Sequence, residues 1–303
     1  MELQWPLILF TFFLCLAGGT MAVQGMLTLL GRGRDLQNGS LIVSAVALVV
    51  GGIAVFMHLE HWERIFNAFG ALLGGNGLGV SGITLELWGC VAFAIVLLLY
   101  FLFMRRAADK TAPKWCAVLA VVVGLALPAV TGESYTMPSI PAWNTPLLVI
   151  YYVFNAILLG SLVVAIIACA KHDGEALSVA VKTSLVGAAA SLVVVIAAAL
   201  LINSFGQFGT VQYYFDPTLP DTPMTDSAAM NAAVLTGPLA GWFWGLAIAV
   251  GLAVPLVCAI LAARRTDAEA LPIVVASAVC AVVGSFAWRC ILYVIAISVF
   301  ALF

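Results

Sequence analysis

The chain has 303 residues, of which 64% are hydrophobic and 9% are charged, and its formal net charge is −2. A soluble domain carries about a quarter charged residues, so this composition excludes a soluble protein and predicts an integral membrane protein. Nothing in the sequence indicates a nucleotide or nucleic-acid site.

Windows of 18 or more mostly apolar residues predict eight transmembrane helices. We expect them at residues 5–30, 39–58, 82–104, 115–132, 145–170, 182–204, 237–263 and 271–301. The first window is too long for the core of a signal peptide and is expected to be a retained helix. Because these segments use most of the chain, we predict a single membrane domain over residues 1–303, with the fold of an all-α, eight-transmembrane-helix bundle in the lipid bilayer.

The predicted loops alternate in charge. Ten of the twelve Lys and Arg residues fall after helices one, three, five and seven, from Arg32 to Arg265. The positive-inside rule makes that side cytoplasmic. Both termini are then expected on the outer (periplasmic or extracytoplasmic) side. The long outer segment 205–236 has no Lys or Arg, and it is either a solvated loop or a docking surface for a partner.

Four titratable side chains are predicted to lie at one depth near the outer boundary. His58, Glu86, Glu133 and Arg289 each lie 18 or 19 residues from the cytoplasmic end of their helix. At about 1.5 Å per residue, this places all four about 27–29 Å from that end, in a hydrocarbon core about 30 Å thick. An ionisable group inside a membrane indicates a functional site. Taken singly, each could instead end its helix, snorkel or belong to a solvated loop.

Two kinds of chemistry fit such a layer. An imidazole and a carboxylate in a partly apolar pocket can accept the two hydroxyl protons of a quinol. An arginine nearby could steady an anionic oxygen, and Trp62, Phe66, Trp88 or Trp288 could sandwich the ring. The same groups could equally carry protons in an ion-coupled transporter.

The sequence argues against bound metal centres. Of the three histidines, His172 is predicted on the cytoplasmic side, and His58 and His61 are too close in sequence to ligate one iron from opposite faces. The seven cysteines lie scattered in apolar runs without a C-x-x-C pair. We therefore expect no haem, no metal ion and no iron–sulfur cluster in this chain.

Several stretches resemble the DmsC family, the membrane-anchor subunits of anaerobic dimethyl sulfoxide reductase. The opening run QWPLILFTFFLCLAGGTMAV is similar to the family's W-P-L…F-T…C-x-A-G-G pattern. The block MHLEHWERIFNAFGALLGGNGLGVSGITLELW is similar to its histidine, R-x-F-N and glutamate signature. PSIPAWNTPLLVIYYVFNAILLG resembles its P-x-W…T-P entry, and GSFAWRCILYVIAISV its last helix with G-x-x-x-x-R-x-x-x-Y.

The resemblance implies a subunit of an oxidoreductase complex that binds and oxidises menaquinol near the outer face. Electrons would pass to a four-cluster iron–sulfur subunit, and a molybdopterin catalytic subunit would reduce a terminal acceptor during anaerobic respiration. The family histidine and glutamate carry over onto His58 and Glu86, our candidate catalytic residues. Arg64 and Asn67 match the R-x-F-N motif, and Arg289 matches the last-helix arginine, although its role is inferred only from its predicted depth. These three are candidate quinol-pocket residues.

The resemblance also implies a multi-pass location in the bacterial cytoplasmic (inner) membrane. A different class remains open, namely a proton-coupled transporter that uses the same His, Glu and Arg layer. The absence of a detectable internal repeat and of broken helices counts against that alternative.

Overall fold

The computed structural model describes residues 3–59, 61, 82–137, 140, 142–204, 232–265 and 267–296. In these parts of the chain the protein is all-helical and contains eight helices long and apolar enough to cross a membrane. Their bounds are α1 Trp5–Leu29, α2 Gln37–His58, α3 Gly82–Arg106, α4 Lys114–Ser134, α5 Pro146–Lys171, α6 Gly174–Ser204, α7 Gly241–Ala262 and α8 Asp267–Val294. Arg64, Asn67, Trp62 and Phe66 lie outside the described residues, as does 205–231.

The helix ends follow local capping chemistry. Thr145 is the N-cap of α5 and accepts a hydrogen bond from the amide of Leu147 at 3.3 Å, with Pro146 in the first helical position. The α6 helix begins eight residues before its predicted start, because the Asp173 carboxylate accepts a hydrogen bond from the amide of Ala176 at 2.9 Å. The hydropathy windows of the sequence instead predict residues 174–181 in the loop before the sixth helix.

The last two helices also differ from expectation. The first part of α7, Gly241–Ala253, is a π-helix, and an α-helix continues it over Val254–Ala262. The α8 helix ends at Val294, seven residues before the predicted end. At that end the Trp143 indole donates to the carbonyl of Leu292 at 2.9 Å, which satisfies an acceptor that a helix terminus leaves open.

The helices form two groups of four. The first group contains α1–α4, the second contains α5–α8, and α1 and α4 pack against α5 to join them. Within the first group α2 and α3 touch each other only sparsely, whereas α1 packs closely against both α2 and α4. The seam between α2 and α3 is therefore the loose side of this group.

The centre of the molecule is a backbone contact between α1 and α5. A Cβ atom added at Gly19 would overlap the backbone of Ala156, and one added at Gly160 would overlap the backbone of Gly19. On another face of α1, a Cβ at Gly18 would overlap the carbonyl of Gly124 in α4. Small residues permit this close approach of membrane helices.

One end of the bundle holds a buried polar network. The Tyr100 hydroxyl lies 2.6 Å from the Thr28 hydroxyl and donates to the side-chain amide oxygen of Gln37 at 3.2 Å. Gln37 also accepts from the amide of Ala112 at 3.0 Å. This network ties the α1–α2 turn to the α3–α4 turn at the end that carries Arg32, Arg105 and Arg106, which we call the basic end.

At the opposite end, which we call the cavity end, the fully buried Arg289 joins three helices. Its guanidinium donates to the Thr11 hydroxyl (3.1 Å) and carbonyl (3.5 Å), the Cys15 sulfur (3.2 Å), the Tyr151 hydroxyl (3.3 Å), the Asn155 amide oxygen (3.0 Å) and the Ser285 carbonyl (3.2 Å). None of these described partners is a carboxylate. The charge is held by neutral acceptors and by the ring of Tyr152, 5.1 Å away.

We predict that Gly19→Ala destabilises the protein. The new methyl group would force α1 away from Ala156, and overpacking of this kind costs about 1–3 kcal/mol. Thermal unfolding of the purified protein in detergent measures the effect. The matched control is Gly245→Ala, because a Cβ there meets no atom within 4 Å, and its midpoint should stay unchanged. Equal midpoints for the two variants would contradict the contact.

We also predict that Arg289→Leu destabilises the protein by several kcal/mol. The leucine would leave buried acceptors on α1, α5 and α8 unpaired, and each unpaired group costs about 1–3 kcal/mol. Arg265→Leu is the control, because Arg265 is exposed and its 3.8 Å contact with Glu269 lies at the surface. A loss of stability no larger than that of the control would show that the Arg289 network is dispensable.

Candidate functional site

A cavity of about 780 Å³ opens at the cavity end, where the two groups of helices meet. The first turn of α1, the end of α2, the start of α3, the end of α4 and the end of α8 all contribute to its wall. Most of the lining is apolar, and the polar side chains in it are Gln4, His58, Glu86, Ser134, Tyr135, Trp143 and Tyr293. Ligand cavities commonly measure about 300–1,000 Å³ and combine an apolar wall with a few polar groups.

His58 and Glu86 line this same cavity. His58 is the last residue of α2 and is exposed, whereas Glu86 lies in the second turn of α3 and is only 6% exposed. Twenty-seven residues separate them in sequence, so it is the antiparallel course of α2 and α3 that brings them to one cavity. The His58 side chain is thus exposed, whereas the Glu86 side chain is enclosed.

A contact between α3 and α4 fixes the position of Glu86. The Ser134 hydroxyl lies 2.9 Å from the Gly82 carbonyl in the first turn of α3 and 2.9 Å from the Val130 carbonyl in its own helix. A Cβ at Gly82 would lie only 2.9 Å from the Cα of Ser134. The start of α3 is therefore anchored on the end of α4, one turn before Glu86.

Two buried polar atoms of the wall form no hydrogen bond of normal geometry within the described residues, although one of them, the Tyr293 hydroxyl, lies close enough to Tyr135 to interact with it. They are Oε1 of Glu86 and the hydroxyl of Tyr293, which is 6% exposed. The large majority of buried side-chain polar atoms in proteins are paired, because leaving one unpaired costs free energy. Unpaired atoms on the wall of a cavity are therefore available to a bound molecule.

Three aromatic rings form the inner wall. Trp143 lies edge-on to Tyr135 and Tyr293, with ring centroids 5.5 and 5.3 Å apart. Its indole is held by the hydrogen bond to Leu292 described above. Tyr135 follows the last residue of α4, and burial raises the pKa of its phenol well above the ordinary value. Its hydroxyl therefore stays protonated and presents a hydrogen-bond donor at all physiological pH values.

Arg289 does not line the cavity. It lies one helical turn before Tyr293 on α8, and its guanidinium faces the ring of Tyr152. Tyr152 in turn stacks on Tyr135, with centroids 6.4 Å apart and planes inclined by 9°. The arginine therefore reaches the cavity wall only through aromatic side chains.

The sequence analysis suggested four aromatic residues that could sandwich the quinol ring. Trp62 and Phe66 fall outside the described part of the chain. Trp88 is half-buried on α3, and Trp288 packs against Tyr151 and Phe243 in the second group; neither lines the large cavity. The sequence analysis instead overlooked Tyr135 as a wall residue. Trp143 and Tyr293 occur in the quoted P-x-W and R-x-x-x-Y motifs, but no role was assigned to either.

Within the residues that the structure describes, no group of three His, Cys, Asp or Glu side chains is close enough together to hold a metal ion.

Comparison with protein families completes the description of the site. The model of the family described as polysulphide reductase, NrfD, matches residues 1–301. Comparison with curated proteins gave no match. NrfD proteins are membrane subunits of quinone-interacting complexes of the molybdoenzyme type, in which they partner with iron–sulfur and molybdenum catalytic subunits. Because the match covers nearly the whole chain, this multi-pass membrane protein belongs to the NrfD family.

Proposed function

We propose that this subunit anchors a dimethyl sulfoxide reductase-type complex in the bacterial inner membrane and oxidises menaquinol in the cavity. Electrons pass to a four-cluster iron–sulfur subunit and then to a molybdopterin catalytic subunit. The NrfD family includes anchors of the DmsC type, and the four sequence motifs quoted above favour that branch.

The observation that carries the proposal is the pair of unpaired polar atoms in an otherwise apolar cavity. A quinol is a flat apolar ring with two hydroxyl groups, so it needs apolar walls and a small number of polar partners. Glu86 Oε1 offers an acceptor and the Tyr293 hydroxyl offers a donor. The rings of Tyr135 and Trp143 supply flat walls for an aromatic ligand.

Quinol oxidation releases two electrons and two protons, and the cavity offers one proton acceptor for each hydroxyl. Glu86 accepts a proton in the enclosed part of the cavity. His58, whose side chain is exposed, accepts the other and can return it to water. Trp143 and Tyr135 exclude water from the ring, and Tyr293 holds one quinol oxygen in place.

The proposal also assigns the side of the membrane on which protons and electrons leave the quinol. Since the basic end is predicted to be cytoplasmic, the cavity end would lie outside and the iron–sulfur subunit would dock there. Protons and electrons would then leave on the same side, and the subunit alone would move no net charge across the membrane. Labelling that places the iron–sulfur subunit on the basic end would contradict this arrangement.

Arg64, Asn67 and Arg289 keep secondary roles in the proposal. Arg64 and Asn67 are candidate pocket residues through the R-x-F-N motif alone. Arg289 would act through Tyr152 and Tyr293 by holding the aromatic wall in place, because its guanidinium is already occupied by acceptors on α1, α5 and α8.

We predict that Glu86→Gln slows quinol oxidation by about 100-fold or more, because the amide cannot accept a proton and general bases contribute about 10²–10⁴-fold. The measurement is the rate of iron–sulfur cluster reduction by menaquinol in the purified complex. Glu133→Gln is the matched control, since Glu133 is exposed at the same end of the bundle but does not line the cavity.

Three other results would each exclude a part of the proposal. Equal rates for wild type and Glu86→Gln would make this carboxylate structural. Retained turnover in the double variant His58→Ala with Glu86→Gln would indicate an anchor whose partner binds the quinol. If the wild-type complex does not donate electrons at all, the proton-coupled transporter becomes the better interpretation.

We predict that Tyr293→Phe raises the KM for quinol about 3- to 10-fold without lowering the stability of the protein. A hydrogen bond contributes about 0.5–1.5 kcal/mol, and the hydroxyl forms no hydrogen bond of normal geometry within the described residues that the substitution would remove. Steady-state kinetics and thermal unfolding of the same preparation test both parts. A lower unfolding midpoint together with an unchanged KM would show that the hydroxyl serves the fold.

A further inference from the structure

A second cavity adjoins the first one. It has a volume of about 230 Å³ and lies between α2 and α3, with Phe10 of α1 at its back. The two cavities share Val55, Ile83 and Glu86. We call the second one the lateral groove, and among the described residues of its wall Glu86 is the only one with a carboxyl side chain.

The wall of the lateral groove is almost as apolar as the lipid interior. Apart from Glu86 at the shared wall, its lining consists of glycine, cysteine and apolar side chains, among them Leu48, Gly52, Leu87 and Ala94. It is open at the surface of the bundle, where Phe56 is 42% and Ile83 is 58% exposed. This opening coincides with the loose seam between α2 and α3.

The groove runs in the direction that the tail of a bound amphiphile would take. From Glu86 to Ala94 along α3 the groove descends by about 12 Å toward the middle of the bundle, at about 1.5 Å per residue. A molecule with its head in the large cavity would therefore have its tail directed toward the bilayer centre. Glu86 stands where head and tail would join.

From this geometry we infer that the lateral groove between α2 and α3 holds the polyisoprenoid tail of the quinol and is the path by which the quinol enters from the lipid. The inference rests on the proposed quinol site and adds the tail-binding residues to it. A lipid acyl chain has similar chemistry and is a separate outcome of the test below.

The tail gains little free energy by moving from lipid to groove, because lipid is as apolar as the groove wall. The groove therefore selects the quinol by providing space for the tail and not by binding the tail tightly. If it is filled, a tailed quinol cannot seat its head in the large cavity, whereas a quinol without a tail still can. A comparison of the two quinols therefore distinguishes an effect on the groove from an effect on the head site in the large cavity.

Gly52 is the position at which to fill the groove. A Cβ at Gly52 meets no atom within 4 Å, so a leucine there enters the groove and not the packed helix interface. Gly245 on an exposed face of α7 has equally open surroundings and lies far from the groove in the other group of helices, so Gly245→Leu is the matched control. Ala94→Phe fills the groove from α3 and serves if Gly52→Leu does not assemble.

The experiment compares kcat/KM for a tailed and a tail-less naphthoquinol in the purified complex. We expect Gly52→Leu to lower kcat/KM at least about tenfold for the tailed quinol and less than about twofold for the tail-less one, because overpacking costs enough to exclude the tail. Gly245→Leu should leave both values unchanged.

Each other outcome has a distinct meaning. No oxidation of either quinol by the wild type would overturn the proposed function itself. Equal losses of kcat/KM for both quinols in Gly52→Leu, or no loss for either, would overturn the assignment of the groove as the tail site. The proposed head site would not be affected by either result. In the latter case, phospholipid that copurifies with the wild type but is lost from Gly52→Leu would identify the occupant as a lipid acyl chain.

Discussion

The structure depends on the burial of a single charge. Arg289 is removed from solvent in the middle of apolar helices, and a guanidinium in that environment is stable only if its donors find acceptors. The hydroxyl, amide and carbonyl acceptors on α1, α5 and α8 supply them, so the charge fixes the rotation of three helices at once. One turn further along α8, this fixed rotation points Tyr293 into the cavity. The buried charge thereby sets the inner wall of the site without touching it.

The opposite wall of the cavity, formed by α2 and α3, is less tightly packed. The α2 and α3 helices touch each other only sparsely, and what holds them is their packing on α1 and α4 together with the Ser134 contact to the start of α3. A rigid wall of aromatic rings thus faces a wall with a gap in it. This asymmetry suits a site that must position a ring on one side and admit a lipid-soluble molecule from the other.

Much of the fold could be predicted from the sequence, because a bilayer sets helix length and leaves few alternatives. The existence of all eight helices and the approximate ends of α1–α5 followed from hydropathy alone. The depth argument also selected His58 and Glu86, and the structure places both on one cavity. Their roles in catalysis remain a prediction.

Other features could not be predicted because they depend on contacts between distant segments. The early start of α6 comes from a cap at Asp173, and the end of α8 is met by Trp143 from another segment. Arg289 was expected in the pocket on depth alone, but depth does not specify the side of a helix. Tyr135 and Tyr293 are ordinary aromatic residues in sequence, and only the meeting of α4 with α8 makes them a wall. The groove is a gap between helices, which no residue pattern reports.

The central claim is that the large cavity binds the quinol ring between Glu86 and Tyr293. Its most direct test is a cryo-EM structure of the assembled complex with a tail-less naphthoquinone added in excess. The account predicts ring density in the cavity beside Trp143, with one oxygen at the Tyr293 hydroxyl and the other side of the ring near Glu86. Ring density at another position, with the cavity filled by a partner subunit, would contradict it.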